Sequence, residues 1–469
     1  MGRIIASLSL AGRAHHLQRH QDTGALKLKD WLWMTMGDLG RGIGAGAIDP
    51  VALTETYLSA IKAHPLQHRI YARLTETRAL AEAEAAATRA RSGHRRGPLD
   101  GVPVSWKDLF DTAGVATEAG SALLQGRVPD DDAWVLKNAT AAGTICLGKT
   151  HMSELAFSGL GYNPVTATPP CVNDDGAVSG GSSSGAAASV AFGLAPCGIG
   201  SDTGGSVRIP SAWNDLVGLK TTATRLPLTG VVPLCARFDT IGPLCRNVED
   251  AALMLAALEG GQTADLTHAS VKGLRIGALQ TAALDHVRDT PMAAYRTTLE
   301  GLEQAGAQIE KFDAPEVATA LAQSAVTFTA EAYGTWRETI EAAPDKMFHE
   351  ILERFRAGQT FSAPDYVRAW QVLDQCRAEW NARVAGYDAV IIPSSPILPP
   401  NIDRLASDHD YYVTENLLAL HNTRIGNVLG LSAITLPTGQ SSCGVILMGK
   451  PFAEEALLRV AAGCEAALS

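Results

Sequence analysis

Gly176–Trp213 reads GAVSGGSSSGAAASVAFGLAPCGIGSDTGGSVRIPSAW, with eight serines, nine glycines and no histidine. A glycine pair precedes serine twice, at Gly180-Gly181-Ser182 and at Gly204-Gly205-Ser206. Glycines beside a nucleophile let the backbone turn sharply and aim successive amide N–H groups into one pocket, as an oxyanion hole requires. Between the pairs, AAASVAFGLAPCGIG has the pattern of a helix followed by a strand. Both glycine–serine turns therefore cap ordered elements, which a flexible glycine linker does not do.

A serine nucleophile needs a group to take its proton, and without a nearby histidine the candidates are lysine or a carboxylate. Upstream lies PLDGVPVSWKDLFDTAG, where Lys107 ends a short apolar strand and enters a turn. On an open surface such a lysine is a solvated charge. At the end of a buried strand it can be desolvated enough to stay neutral and act as a base.

Outward from this centre, helix and strand signals alternate. Asp49 and Pro50 supply an N-cap and a first-turn proline for the apolar pattern at Val51, Tyr57, Leu58 and Ile61. ETRALAEAEAAATRARSG is a strong helix with Gly93 as its stop. Strand-like runs occur at GVPVSW, GTICLG, PCGIGS, LRIGAL, DAVIIP, AITLP and GVILM, with helical stretches such as DAALMLAALEG and MAAYRTTLEGLEQAG between them. This alternation predicts an α/β fold, a central sheet covered by helices on both faces. Residues from about 320 to 385 are helical in pattern and rich in Trp, Tyr and Arg, an insertion over the sheet. No repeat or low-complexity linker divides the chain, so residues 36–469 read as one large domain. Residues 1–35 read as a loose extension. Its apolar run IIASLSLAG is too short to span a bilayer and is followed by the basic RAHHLQRH instead of a small-residue cleavage site.

Composition excludes several functions. Of 469 residues, 46% are hydrophobic and 19% charged, and the net charge of -10 with no basic run gives no footprint for nucleic acid. The eight cysteines, Cys146, Cys171, Cys197, Cys235, Cys245, Cys376, Cys443 and Cys464, include no C-x-x-C pair and no zinc spacing. They read as buried thiols of a cytoplasmic protein, and no metal or cofactor is expected. GTICLGKT, Gly143–Thr150, satisfies the pattern of a phosphate-binding loop. Its interior residues Thr144, Ile145, Cys146 and Leu147 look like the strand itself, not a nest of amides, so Lys149 is read as structural.

The chain resembles the amidase signature family of serine hydrolases. The resemblance is carried by GVPVSWKDLFDTAG, by SGGSSSGAAASVAFGLAPCGIGSDTGGSVRIPSAWNDLVGLKTT, by GVVPLCARFDTIGPLCRNVEDAALML and by GKPFAEEALLRVA. It runs from about Met36 to the C-terminus and is dense between Pro98 and Gly261. It implies a single large domain with a central mixed sheet, and a triad of Ser206 as nucleophile, Ser182 as relay on a cis peptide, and neutral Lys107 as base. The backbone amides of Thr203, Gly204, Gly205 and Ser206 would form the oxyanion hole. Ser183 is expected to support the relay, Asp202 and Arg208 to be structural, and Ser179 and Ser184 to be turn residues.

The implied activity is hydrolysis of the carboxamide C–N bond of a small molecule, with no membrane partner and a homodimer left open. The family also contains the glutaminase subunit of a tRNA-dependent amidotransferase, which binds a glutamine carboxylate with an arginine; Arg354 and Arg356 are the candidates here. Tyr333, Trp336, Phe361, Trp370 and the segment His409–Asn427 are candidates to line the acyl pocket. His151 departs from the family pattern, which has asparagine there, as does the approach TPPCVNDDGAVSGG.

Overall fold

A computed structural model describes residues 28–468. Among the described residues thirteen strands occur in chain order: β1 (Tyr71–Leu74), β2 (Pro103–Lys107), β3 (Ile145–Thr150), β4 (Pro170–Cys171), β5 (Asp174–Val178), β6 (Cys197–Asp202), β7 (Val217–Lys220), β8 (Thr240–Cys245), β9 (Arg275–Leu279), β10 (Gln308–Phe312), β11 (Ala389–Pro393), β12 (Ser432–Pro437) and β13 (Gly444–Gly449). Eleven form one mixed sheet in the order β1-β3-β2-β6-β8-β7-β12-β13-β11-β9-β10, and β4 pairs with β5 in a hairpin. Strands β3, β2 and β6 run parallel, as do β11, β9 and β10, while the strands between them are antiparallel.

All seven strand-like runs of the sequence lie in this sheet. The strands without a clear sequence signal are short or interrupted. In β8 the run contains Gly242-Pro243, yet it is central. Its ladder to β7 covers only Val217↔Cys245 and Gly218↔Leu244, stopping beside Pro243, which has no N–H to give. A Cβ on Gly242 would lie 1.7 Å from the Leu219 carbonyl oxygen, so only glycine permits the two strands to meet there.

Alternation along β2 makes the two faces different. Val104 and Trp106 enter the main core, where Trp106 meets Phe110 edge to face with ring centroids 5.4 Å apart. Ser105 and Lys107 turn to the opposite face, where Ser105 Oγ lies 2.7 Å from Ser189 Oγ of the helix Ser184–Ala191. That face has its own small core of Ala186, Ala187, Val190, Val207, Leu216 and Leu244.

Asp49 caps the helix Pro50–Ala63, accepting from the amides of Val51 and Ala52 at 2.9 and 3.1 Å. Between β10 and β11 the chain is helical almost throughout, in Pro315–Ala322, Ser324–Ala342, His349–Arg356 and Ala363–Arg383. Of the extension expected over residues 1–35, the first 27 lie outside the described residues. The remainder is not loose. Leu28–Trp33 form a 3-10 turn, Trp31 is buried, and its carbonyl accepts from Tyr57 Oη at 3.0 Å.

Candidate active site

Lys107, the last residue of β2, is fully buried. Its Nζ donates to Ser182 Oγ at 2.6 Å and to Ser201 Oγ at 2.7 Å. Burial pulls the ammonium down from its ordinary 10.5 to about 7, against the opposing pull of the Asp202 and Asp239 carboxylates. A lysine so placed is divided between its charged and neutral forms near neutral pH.

The two glycine–serine turns meet beside it. The Gly181–Ser182 peptide is cis, and the Ser183 amide donates to the Ser206 carbonyl at 3.2 Å. Ser183 Oγ donates to the Ser201 carbonyl at 3.2 Å and accepts from the Ser201 amide at 3.3 Å, tying its turn to the end of β6. Asp202 organises the second turn. Its carboxylate accepts from the amides of Gly205 and Val207 at 2.9 and 3.2 Å, from Asn427 Nδ2 at 2.9 Å, and from the Arg208 guanidinium through two bonds of 3.0 and 2.9 Å. Burial pushes this carboxyl up, but Arg208, Lys220 and Asn427 outweigh it and hold the group well below the usual carboxylate range. Gly205 has φ +140°, and a Cβ there would lie 2.1 Å from Thr423 Oγ1.

Ser206 opens onto a cavity of about 450 Å³, also lined by Thr203, Gly204, Phe157, Arg354 and Arg424. Ser206 is 4% exposed, whereas Ser182 and Lys107 have no exposure. Ser206 thus offers a hydroxyl at the cavity wall, while the Ser182 hydroxyl and the Lys107 amine it contacts are closed to solvent.

A family model described as Amidase matches residues 52–458. The chain belongs to the amidase family. This amidase is 34% identical over 404 residues to the 2-amino-5-chloromuconic acid deaminase of Comamonas testosteroni, covering 83% of this chain and 86% of that protein. It is 31% identical to a glutamyl-tRNA(Gln) amidotransferase subunit of Anaeromyxobacter sp. (strain K), over 93% of this chain and 96% of that one. The native peptide amidase of Stenotrophomonas maltophilia has a TM-score of 0.79 to it at 26% identity, covering 94% of this chain and 98% of that one. It is a hydrolase acting on amide C–N bonds, built on a single large mixed sheet with helices.

Several site expectations need correction in the amidase. Gly205, expected among the oxyanion donors, does not line the cavity, and its amide donates to Asp202 Oδ1 at 2.9 Å. The insert and the segment His409–Asn427 do line the cavity, but through Phe328, Tyr412, Leu420 and others. The named aromatics Tyr333, Trp336, Phe361 and Trp370 do not. Trp336 donates to the Pro233 carbonyl at 2.9 Å, and Trp370 stacks on Phe238 with centroids 4.9 Å apart. Arg354 reaches the cavity, while Arg356 is spent on Glu341 at 2.8 Å.

The phosphate-loop match is β3 itself. Its Lys149 is buried and donates to the Phe110 carbonyl at 2.6 Å and to Thr117 Oγ1 at 2.8 Å. His151 is a bracket: its amide donates to the Ile70 carbonyl and its carbonyl accepts from Gly185, both at 2.9 Å. Burial pulls its imidazole down to about 4.

Sequence reasoning missed three groups. Ser201, the second partner of Lys107, stood inside the decisive stretch, a hydroxyl next to Asp202 with no role given to it. Asp239 accepts from Thr203 Oγ1 at 2.5 Å and from the amides of Leu234 and Cys235; nothing local marks it. Arg424 lines the cavity from within His409–Asn427, a segment expected there as a whole with no role given to the arginine.

Proposed function

We propose that Ser206 is the nucleophile of a small-molecule amidase, Ser182 its proton relay, and neutral Lys107 the base. The observation that carries this reading is the fully buried 2.6 Å contact between Lys107 Nζ and Ser182 Oγ, on a turn whose next residue, Ser183, donates its amide to the carbonyl of the cavity serine Ser206. Ser206 Oγ adds to the amide carbonyl carbon while its proton passes to Ser182 Oγ and the Ser182 proton passes to Lys107 Nζ. The oxyanion is held by amides from Thr203, Gly204 and Ser206, with Gly205 fixing the turn through Asp202. The relay then runs backwards, protonating the leaving nitrogen as the C–N bond breaks. Water attacks the acyl-enzyme with the same groups acting as base, and the carboxylic acid leaves.

The eight buried free thiols support a reducing compartment, the cytoplasm. A second reading, glutaminase subunit of an amidotransferase, is favoured by the 31% identity to the Anaeromyxobacter protein. A serine-directed fluorophosphonate and a panel of amides test the proposal. Covalent labelling at Ser206 and turnover by the isolated chain support the stand-alone amidase; labelling without turnover until the other amidotransferase subunits are added supports the second reading. Full labelling of Ser206→Ala refutes both.

A further inference from the structure

The run ARFDTIGP carries part of the family resemblance, yet the relay of Ser206, Ser182 and Lys107 uses none of its side chains. Asp239 of that run precedes β8 and Thr240 opens it, as the ladder partner of Asp202, the last residue of β6. Both are buried. Thr240 Oγ1 donates to the Asp202 carbonyl at 2.7 Å. That carbonyl and the Thr203 N–H belong to one planar trans peptide and point in opposite directions, so holding the oxygen aims the N–H away from Thr240. Asp239 holds the next residue by its side chain: the Thr203 hydroxyl donates to Asp239 Oδ1 at 2.5 Å. Threonine is β-branched and stiff at χ1, so a fixed hydroxyl also limits how its backbone can turn.

The Asp239 carboxylate is itself anchored, by the Leu234 amide at 2.9 Å and the Cys235 amide at 3.1 and 3.2 Å. Every one of these contacts gives it a hydrogen, which favours the anion although burial pushes its carboxyl up. Glu331, on the helix Ser324–Ala342, is the other anion that faces it; that carboxylate accepts from the Arg237 amide at 3.0 Å and from Tyr366 Oη at 2.7 Å. The Arg237 guanidinium lies over the Trp370 ring at 3.9 Å, and the Cys235 thiol is pushed well up and stays neutral. Two carboxylates favour the charged form of Lys107, those of Asp202 and Asp239. Asp202 is engaged by Arg208 and acted on by Lys220 as well.

Thr203 begins the turn that lines the cavity with Gly204 and Ser206, and two glycines give that turn little stiffness of its own. We infer that Asp239 is a positioning residue of the reaction: through the Thr203 hydroxyl it holds the first amide of the Thr203–Ser206 turn toward the oxyanion, and its charge acts on the Lys107 amine. Asp239 touches neither substrate nor reacting atoms. The inference rests on the Ser206 reading, which supplies the oxyanion.

The rate at which a fluorophosphonate labels Ser206, measured against probe concentration and pH, tests it. Ser206 Oγ displaces fluoride from phosphorus, and the phosphoryl oxygen draws on the same amides as a substrate oxyanion. Asp239→Asn keeps an oxygen for the Leu234 and Cys235 amides but loses the charge and the acceptor for Thr203. Its maximal labelling rate is expected to fall about 10- to 100-fold, with the half-saturating probe concentration changed by less than about threefold. The rise of rate with pH should move down by roughly one unit, because the Lys107 ammonium loses one of its two carboxylates. Thr203→Val keeps that charge, so it should lower the maximal rate without moving the rise down, and Thr203→Ser should lose less than Thr203→Val. A lower rate in Asp239→Asn with the rise unmoved is what a loosened fold alone would give, and overturns the inference. Should Asp239→Asn fail to fold by circular dichroism, equal rates for Thr203→Val and Thr203→Ser overturn it. Wild type labelled at Ser206 and Asp239→Asn labelled just as fast rejects this inference alone; folded wild type left unlabelled at Ser206 rejects the nucleophile and the inference with it.

Discussion

The amide of Ser183 donates to the carbonyl of Ser206 at 3.2 Å, joining two glycine–serine turns from different crossovers of the sheet. One turn follows the hairpin strand β5 and leads into the helix Ser184–Ala191; the other ends β6 and leads into the helix Arg208–Trp213. This backbone contact, with the bonds from Ser183 Oγ to the Ser201 carbonyl and from the Ser201 amide to Ser183 Oγ, ties the turn of the cavity serine to the turn that carries Ser182.

Replacement of the two serines should therefore be graded. Ser206→Ala is expected to abolish turnover and labelling with the fold intact by circular dichroism, because only a hydroxyl is lost. Ser182→Ala is expected to cost about 10²- to 10⁴-fold in kcat, the range for losing general acid–base catalysis. A Ser182→Ala variant within tenfold of wild type would remove the relay from the mechanism.

Asp202 and Arg208 are both without exposure and bind through two contacts. Asp202→Asn leaves a buried guanidinium half paired and is expected to lower unfolding stability by about 3–5 kcal/mol in urea titrations. It also frees the Gly205 amide from its ionic acceptor, so kcat of the folded variant should fall as well. Asp202→Asn with Arg208→Met should destabilise by less than the two single changes added together; additive losses would mean the pair does not act as a unit.

Lys149→Met separates the structural lysine from Lys107, the proposed base. Asp108, 3.4 Å from Lys149, keeps its contact with Arg73 at 2.6 Å, so the loss is limited to about 1–3 kcal/mol from the carbonyl of Phe110 and the hydroxyl of Thr117. Hydrolysis by the folded fraction should stay within several-fold of wild type. Neither magnesium nor a nucleotide should change it; a requirement for either would reopen the phosphate-loop reading of Gly143–Thr150.

What could be read from the sequence follows from how local the signal is. Helix caps such as Asp49-Pro50 and apolar runs such as DAVIIP act over a few residues, and both formed the elements they predict. Strands β7 and β8 were not legible because their pairing depends on neighbours far along the chain and on a glycine that tolerates a carbonyl at close range. At the site, Lys107 and the two glycine–serine turns declare themselves by residue type. The commitment of the Gly205 amide to Asp202 does not, since every amide in a glycine turn looks alike in sequence. Likewise, an aromatic such as Trp336 packs in a core or lines a pocket with the same pattern, and only the Pro233 carbonyl beside it decides.

The position of Lys107 makes a pH prediction with two independent readings. Its folded value of about 7 lies below the ordinary 10.5, so between those values the unfolded chain holds a proton that the folded chain has released. Stability then rises with pH across that window: the cost of burying the ammonium is fully present below about pH 7 and gone above 10.5. Lys107→Met removes this dependence. The hydroxyls of Ser182 and Ser201 lose a partner in the variant, which changes its stability at every pH alike and leaves the slope untouched. The difference in unfolding free energy between wild type and variant is therefore expected to move in favour of wild type by about 3 kcal/mol from about pH 6.5 to about pH 9.5. Hydrolysis by the wild-type chain should rise through a single ionisation near pH 7 and level off above it, because the neutral amine is the form that accepts the proton. Parallel stability curves for wild type and Lys107→Met, or a rate that falls as pH rises through 7, would show that Lys107 is not the group that titrates.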